Sequence, residues 1–184
     1  MEYLVPKIKN AIDVTKPFKP VRIAVLVVSD TRTFDDDTSG ALLAKRVVDA
    51  GHELADRIIV RDDIPLLRAQ VKQWIDADDV DVVISSGGTG LTGRDITPEA
   101  ITPLFEKTIE GFSHVFHMVS FQSVGLSTLA SRAIAGTANG TFIFALPGSN
   151  GACKDGWDKV ICPQLDSRHG PCNLVELMPR LTEV

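Results

Sequence analysis

The feature that most limits the fold of this chain is a series of short apolar runs that alternate with segments of helical periodicity. Residues 23–28, 57–60 and 141–146 predict three strands, and Val82-Val83-Ile84 predicts another within residues 80–86. Nearly continuous apolar runs are typical of strands buried on both faces of a parallel sheet. Because helical segments separate these strands, we expect an α/β fold: a three-layer α/β/α sandwich with a mostly parallel central sheet.

Helix signals fill the intervals between the strands. The segment Asp37-Thr38-Ser39-Gly40 offers N-caps for a helix that runs to about Ala50 and ends at Gly51. Asp63 predicts the start of a second helix, which has Pro65 in its first turn. Both helices therefore begin shortly after a predicted strand.

The later part of the chain has less regular signals. Pro103 predicts a kink or a restart in the helix that follows residue 97. Residues 112–135 predict a helix in two pieces that is broken around Gly125, and residues from 150 onward predict another helix. The tail from Asp166 is expected to be irregular, with one short turn.

Length and charge limit the functional classes. Residues 1–20 mix Lys with Pro6, Pro17 and Pro20 and predict an N-terminal extension, mobile or packed on a neighbouring subunit. The length of 184 residues predicts one domain, at residues 21–184. A net charge of −5 argues against a general nucleic-acid-binding surface. No apolar stretch is long enough to span a membrane, and the first residues lack a signal-peptide pattern. We therefore expect a cytoplasmic protein with no nucleic-acid or membrane partner.

Polar or glycine-rich segments follow all four predicted strands. They are Ser29-Asp30-Thr31, Arg61-Asp62-Asp63, Ser85 to Thr89, and Pro147-Gly148-Ser149. In open parallel sheets, ligands bind beyond the carboxyl ends of the strands. Each segment alone could be a simple cap or turn, but together they predict a binding site at one edge of the sheet.

The segment after the third strand predicts a phosphate site. Its glycines allow sharp turns that expose consecutive backbone N–H groups, and Thr97 is expected to be the N-cap of the next helix. Asp95 lies between this loop and the helix. A carboxylate beside a bound phosphate needs a cation to offset the repulsion, so we expect Mg²⁺ at Asp95, with Asp62 or Asp63 as a second carboxylate ligand.

An alternative interpretation of the same loop is a dinucleotide site, since residues 88–93 match G-x-G-x-x-G. In that motif the helix begins inside the glycine pattern, whereas here it is expected only near Pro98. A nicotinamide site is therefore not favoured. A P-loop is excluded because no Gly-Lys-Ser or Gly-Lys-Thr occurs.

The stretch Ser86-Gly87-Gly88-Thr89-Gly90, followed after three residues by Arg94 to Ala100, strongly resembles the signature of molybdenum cofactor biosynthesis proteins of the MoaB/MogA family. Supporting matches are Val28-Ser29-Asp30, Asp37-Thr38-Ser39-Gly40 and Leu146-Pro147-Gly148-Ser149. The resemblance covers about residues 20–165, and the tail from Leu165 to Asn173 resembles the MoaB branch in particular.

The resemblance implies adenylylation of molybdopterin by ATP with Mg²⁺, which yields adenylyl-molybdopterin and pyrophosphate. By position, Asp95 matches one essential aspartate and Asp62 the other, with Asp63 taking that place if the alignment shifts by one residue. The residues that would bind the nucleotide or the pterin are Ser29, Asp30, Ser86, Gly87, Gly88, Thr89, Gly90, Ser131, Pro147, Gly148 and Ser149.

Two functions follow from the resemblance. One is the adenylyltransferase; the other is a non-catalytic molybdopterin-binding or assembly protein of the same pathway, because some members of the MoaB branch lack the activity. The family pattern usually has Pro-Asp at the end of the second strand, whereas Arg61 precedes Asp62 here. The resemblance also implies a homo-oligomer, a trimer or a hexamer, and other molybdenum cofactor biosynthesis proteins as partners.

Overall fold

A computed structural model describes residues 11–183 of the chain. The strands are β1 (Ala11–Ile12), β2 (Arg22–Val28), β3 (Glu53–Val60), β4 (Val82–Ser86), β5 (Lys107–Thr108), β6 (Ile134–Ala138), β7 (Thr141–Leu146) and β8 (His169–Gly170). The helices are α1 (Thr38–Asp49), α2 (Ile64–Ile75), α3 (Thr97–Ile101), α4 (Glu110–Val124), α5 (Asn150–Gly156), α6 (Cys162–Leu165) and α7 (Leu174–Leu177). Short 3₁₀ segments follow α3, α4 and α7, and a π-helical segment, Trp157–Ile161, joins α5 to α6.

The central sheet has six strands in the order β3-β2-β4-β7-β6-β5. Its first four strands are parallel to one another, whereas β6 runs antiparallel to β7 and β5 antiparallel to β6. The carboxyl ends of β2, β3, β4 and β7 therefore meet at one edge of the sheet. The predicted three-layer, mostly parallel α/β/α fold is confirmed.

Two apolar cores cover the two faces of the sheet. On one face α1, α4 and the π-helical segment after α5 pack through residues such as Leu43, Phe116 and Trp157, all of which are buried. On the other face α2 and α3 pack through residues such as Leu67 and Ile101. Helices on both sides bury β4, β7 and all of β2 after Arg22, which explains the continuous apolar runs of β2 and β7.

The predicted break around Gly125 is confirmed, but the antiparallel extension of the sheet corrects the end of the helical prediction for residues 112–135. Helix α4 ends at Val124, a 3₁₀ segment follows, and Ile134 already belongs to β6. The β6 sequence is rich in Ala and Gly, so its residues give no strand signal of their own. Gly136 is needed there because a Cβ would lie 2.3 Å from the Phe105 ring. Tertiary packing, and not local sequence, therefore makes residues 134–138 a strand.

Two other predicted elements differ from the structure. Strand β3 begins at Glu53 rather than at Arg57, because it is a half-exposed edge strand whose polar residues interrupt the apolar run. The tail contains the two-residue strand β8 and the short helix α7, where one turn was expected. By contrast, the 3₁₀ segment Thr102–Leu104 confirms the predicted break at Pro103.

The predicted N-terminal extension is partly described. Residues 1–10 lie outside the described residues, whereas β1 pairs antiparallel with β8 of the same chain. The Lys19 amide donates to Ser167 Oγ at 2.9 Å, and the Phe18 ring packs on His52. Residues 11–20 therefore lie against the C-terminal tail. No helix within residues 11–183 has the length and apolar character needed to cross a bilayer.

Candidate functional site

A cleft of about 490 Å³ opens at the edge of the sheet where β4 and β7 end. Three segments form its walls: the glycine loop after β4, the 3₁₀ segment after α4, and the start of α5. The lining residues are Gly87, Gly88, Thr89, Gly90, Asp95, Ser120, Val124, Ser127, Thr128, Ala130, Ser131, Pro147, Gly148, Ser149, Ala152 and Asp155. Its volume is in the range of small-molecule and cofactor sites.

The glycine loop adopts a conformation that only glycine tolerates easily. Gly87 and Gly88 have φ angles of 108° and 64°, and a Cβ on Gly87 would lie 2.4 Å from the Val28 carbonyl oxygen. The Gly87 amide donates to Leu146 O at 3.0 Å, whereas the amides of Gly88 and Thr89 have no hydrogen-bond partner among the described residues. Two consecutive backbone donors are thus free to bind an anion.

Thr97 anchors this loop, which corrects its predicted role as a helix N-cap. The N-cap position is Ile96, without a side-chain cap, and Thr97 is the first residue of α3. Its hydroxyl donates to Gly87 O at 2.8 Å and its amide to Gly88 O at 2.9 Å. The late start of α3 agrees with the expectation that distinguished this loop from a dinucleotide motif.

Arg132, which sequence reasoning missed, fastens the loop from the other side. Its guanidinium donates to Gly90 O and to Asp95 O, each at 2.7 Å, and pairs with the Glu99 carboxylate. Its backbone amide donates to Thr89 O at 2.9 Å. No motif marks this arginine, because its partners are backbone carbonyl groups almost forty residues earlier in the chain.

Asp95 lies against Gly90 and is kept ionised. The Thr92 hydroxyl and amide donate to Asp95 Oδ2 at 2.6 and 2.9 Å, and these hydrogen bonds hold the pKa of Asp95 below its usual value. A Cβ on Gly90 would lie 2.7 Å from the same oxygen. The loop therefore places a carboxylate against Gly90, the residue that follows the two free amides.

Asp62 is the second carboxylate at this edge of the sheet, and its pKa shifts in the opposite direction. Burial raises the pKa of Asp62, and the negative charges of Asp30 and Asp95 add to this effect, although Arg94 opposes it. Its Oδ1 atom would lie 3.3 Å from a Cβ on Gly88, so Asp62 borders the glycine loop. Asp30 accepts a hydrogen bond from the Asp62 amide at 3.3 Å and pairs with Arg94.

The other nominated residues have local structural contacts. Asp63 is the N-cap of α2 and accepts a hydrogen bond from the Leu66 amide at 2.9 Å. The Ser86 hydroxyl lies 3.3 Å from Cys153 Sγ beneath the loop, where burial raises the pKa of the Cys153 thiol to about 11. Ser29 and Asp30 line a separate cleft of about 400 Å³ with Arg61, beside the first.

The wall formed by the 3₁₀ segment after α4 and the next residue, Ser131, holds polar groups without partners. Thr128 Oγ1 and Ser131 Oγ are buried and have no hydrogen-bond partner within the described part of the chain. Thr128 is only 7% exposed, and both residues line the cleft. Asp155 lines it too, and neither Thr128 nor Asp155 was nominated from the sequence. Buried polar groups normally have partners, so these hydroxyls are suited to binding a polar ligand.

The cleft belongs to a region that matches a known family. Residues 24–167 match the model of a probable molybdopterin binding domain. The chain belongs to the molybdenum cofactor biosynthesis family. The match spans the glycine loop, Asp62, Asp95 and the cleft walls, and the predicted resemblance to this family is confirmed.

Individual members of the molybdenum cofactor biosynthesis family are similar over most of the chain. Molybdenum cofactor biosynthesis protein B of Escherichia coli (strain K12) is 52% identical over 160 residues, which cover 87% of this chain and 94% of that protein. A crystal structure of a molybdenum cofactor biosynthesis protein B has a TM-score of 0.79 at 41% identity, covering 82% of this chain and 94% of that one.

A second similar structure is named for a different metal. It is the tungsten cofactor synthesizing protein MoaB from Pyrococcus furiosus, with a TM-score of 0.65 and 36% identity, covering 76% of this chain and 89% of that chain. A protein of the MoaB branch, which the tail of this chain resembles, is therefore among the similar structures.

Proposed function

We propose that this protein catalyses the Mg²⁺-dependent adenylylation of molybdopterin by ATP. The observation that supports this function best is the pair Asp62 and Asp95, each beside a glycine of a loop that has two free backbone amides. Membership in a molybdopterin-binding family supports the pterin as one substrate. The carboxylates and the loop amides suit a nucleotide with its metal ion, and the rest of the cleft has room for the pterin.

The carboxylates fit a magnesium ion bound together with a nucleotide. No group of three or more metal-binding side chains occurs within residues 11–183. Mg²⁺ at phosphate-transfer sites commonly uses only one or two carboxylates and takes its other ligands from water and substrate phosphates. The raised pKa of Asp62 reflects burial and nearby negative charge, which a cation would relieve. Asp62 and Asp95 are therefore the proposed ligands, since Asp63 caps α2.

The residues of the chain would act mainly by positioning and charge neutralisation. The terminal phosphate of molybdopterin is an anionic nucleophile near neutral pH and needs no strong base. One of its oxygens bonds to the α-phosphorus of ATP, and the bond from that phosphorus to the β-phosphate oxygen breaks, which releases pyrophosphate. Bound Mg²⁺ would neutralise phosphate charge, the amides of Gly88 and Thr89 would hold a phosphate, and Arg132 would keep the loop in place.

The test is release of pyrophosphate from ATP in the presence of molybdopterin and Mg²⁺. We expect Asp62→Asn and Asp95→Asn each to reduce the rate about 100-fold, as loss of one preorganised electrostatic group typically does. Asp63→Asn is the matched control, since Asn is as good an N-cap as Asp and should leave the rate unchanged.

Two outcomes would contradict the proposal. Full activity in Asp62→Asn with a loss in Asp63→Asn would assign the second carboxylate to Asp63. Tight pterin binding by the unmodified protein without pyrophosphate release would instead support the second candidate, a non-catalytic molybdopterin-binding or assembly protein.

We also propose that the protein forms a homo-oligomer through the outer face of α4 and the segment that follows it. Six large apolar side chains there are exposed: Val115, Met118, Phe121, Val124, Leu126 and Leu129. Exposed apolar patches of this kind mark interaction surfaces. Light scattering should report a trimer or hexamer that Met118→Glu dissociates. Val48→Glu, at a position on α1 that is also more than half exposed, should leave it intact. A monomeric native protein would refute this proposal.

A further inference from the structure

We infer that Asp155 recognises the pterin ring of the substrate by accepting hydrogen bonds from its pyrimidine edge. This inference rests on the proposed function, because it assigns a residue to the pterin end of the same cleft. The sequence signature does not include Asp155, and its role follows from its burial, its neighbours and the chemistry of the ring.

Asp155 is a carboxylate in an almost fully buried position. Its residue is 8% exposed, it belongs to α5, and it lines the cleft. Lys159 pairs with Asp155 Oδ1 at 2.7 Å from the next turn of the helical segment. Within the described residues, Asp155 Oδ2 accepts no hydrogen bond, so this oxygen retains acceptor capacity. Lys159 offsets the charge of the carboxylate, and because Asp155 lines the cleft, a ligand with paired N–H donors would complete its hydrogen bonding.

Two hydroxyl groups line the same cleft as Asp155. Thr128 Oγ1 and Ser131 Oγ are buried without partners in the part of the chain that the structure describes. A hydroxyl both donates and accepts, whereas an ionised carboxylate only accepts. Together, Asp155 and these two hydroxyls would match a flat heterocycle that has donors and acceptors along its edges.

The pyrimidine half of a pterin provides such an edge. Its 2-amino group and its N3–H are adjacent donors that point in the same direction, like two N–H groups of a guanidinium. A carboxylate accepts such a pair in a bidentate arrangement, as it does from arginine. The ring carbonyl and ring nitrogens then remain as acceptors for hydroxyl groups such as those of Thr128 and Ser131.

The spacing along the chain agrees with the shape of the substrate. Gly148 approaches the Cα of Gly87, so the end of β7 contacts the glycine loop. Asp155 lies six residues beyond Ser149 along α5, a rise of roughly 9 Å at the usual helical pitch. A phosphate at the loop and a pyrimidine edge at Asp155 would thus lie at opposite ends of a fused three-ring molecule.

The test uses two fluorescent probes, 6-hydroxymethylpterin monophosphate and its counterpart without the 2-amino group. We expect the native protein to bind the first probe about 10- to 100-fold more tightly, as hydrogen bonds to a charged group predict. Asp155→Asn should lose this preference while it still binds both probes weakly through their shared phosphate. Asp158→Asn, an exposed residue on the same helical segment that pairs with Arg46, should keep the preference.

Lys159→Met separates recognition from a merely structural ion pair. If Asp155 served only to hold Lys159, this variant would lose the preference as well; we expect it to retain it. Equal binding of the two probes by the native protein would overturn the inference, and this measurement requires no folded variant. Because both readouts are binding constants, adenylyl transfer without probe discrimination would refute the role of Asp155 and leave the proposed function standing.

Discussion

Replacing Arg132 with methionine tests the role of the residue that fastens the glycine loop. The change removes two charged hydrogen bonds, to Gly90 O and Asp95 O at 2.7 Å each, and the ion pair with Glu99. Two such bonds are worth about 3–6 kcal/mol in full. The Arg132 side chain is 30% exposed, so hydrogen bonds to water replace part of this stabilisation in the variant. We therefore expect a decrease of about 2 kcal/mol in the free energy of unfolding.

The measurement combines thermal unfolding with the pyrophosphate assay. For a chain of this length, 2 kcal/mol corresponds to a decrease of about 5 °C in Tm. Because Asp95 would no longer be held in position, the rate should fall by about 100-fold. Arg46→Met is the matched control: Arg46 is 27% exposed and pairs with Asp158 far from the loop, so it should lower Tm slightly and leave the rate unchanged. An Arg132→Met protein with native Tm and native rate would refute this account of the loop.

Two further changes test the geometry and charge of the site. Gly87→Ala forces a Cβ against the Val28 carbonyl oxygen at a φ of 108°, so chemical denaturation should show a decrease of about 2–4 kcal/mol in the free energy of unfolding. Gly93→Ala should leave that free energy unchanged, because no atom lies within 4 Å of its Cβ. Equal effects of the two changes would contradict the tight packing of the loop. Asp30→Asn removes a negative charge that helps to raise the pKa of Asp62. Asp62 then ionises at lower pH, so the acid limb of the pH–rate profile should move to lower pH. A move to higher pH would contradict this interaction between the two carboxylates.

The inner parallel strands β2, β4 and β7 could be predicted from the sequence because they are buried on both faces. Apolar runs such as those of β2 and β7 are stable only in the interior of the protein. Because these strands run parallel, their carboxyl ends lie at one edge of the sheet, where ligands bind in such folds. Strand β6 could not be predicted, because Ala135, Gly136 and Ala138 become a strand only through pairing with β7 and packing against Phe105. Local sequence contains no signal for either contact.

The site divides in a similar way. The glycine loop and Asp95 are contiguous, and their residue types alone indicate phosphate and metal chemistry. Arg132 and Asp155 lack any such pattern, since each acts on groups that only the folded chain brings near. Thr97 was expected to cap α3, but the tight turn at Gly87 and Gly88 places its hydroxyl against the loop instead. The sequence thus predicts a functional residue when the residues next to it in the chain already indicate its chemistry.

The most direct test of the central claim follows the α-phosphate of ATP. The protein is incubated with molybdopterin, Mg²⁺ and ATP labelled at the α-phosphorus, and label on the pterin product is compared with pyrophosphate released. We expect one labelled pterin for each pyrophosphate, and labelled pterin formed about 100-fold more slowly by Asp62→Asn or Asp95→Asn. Binding of molybdopterin without any transfer of label would contradict the claim.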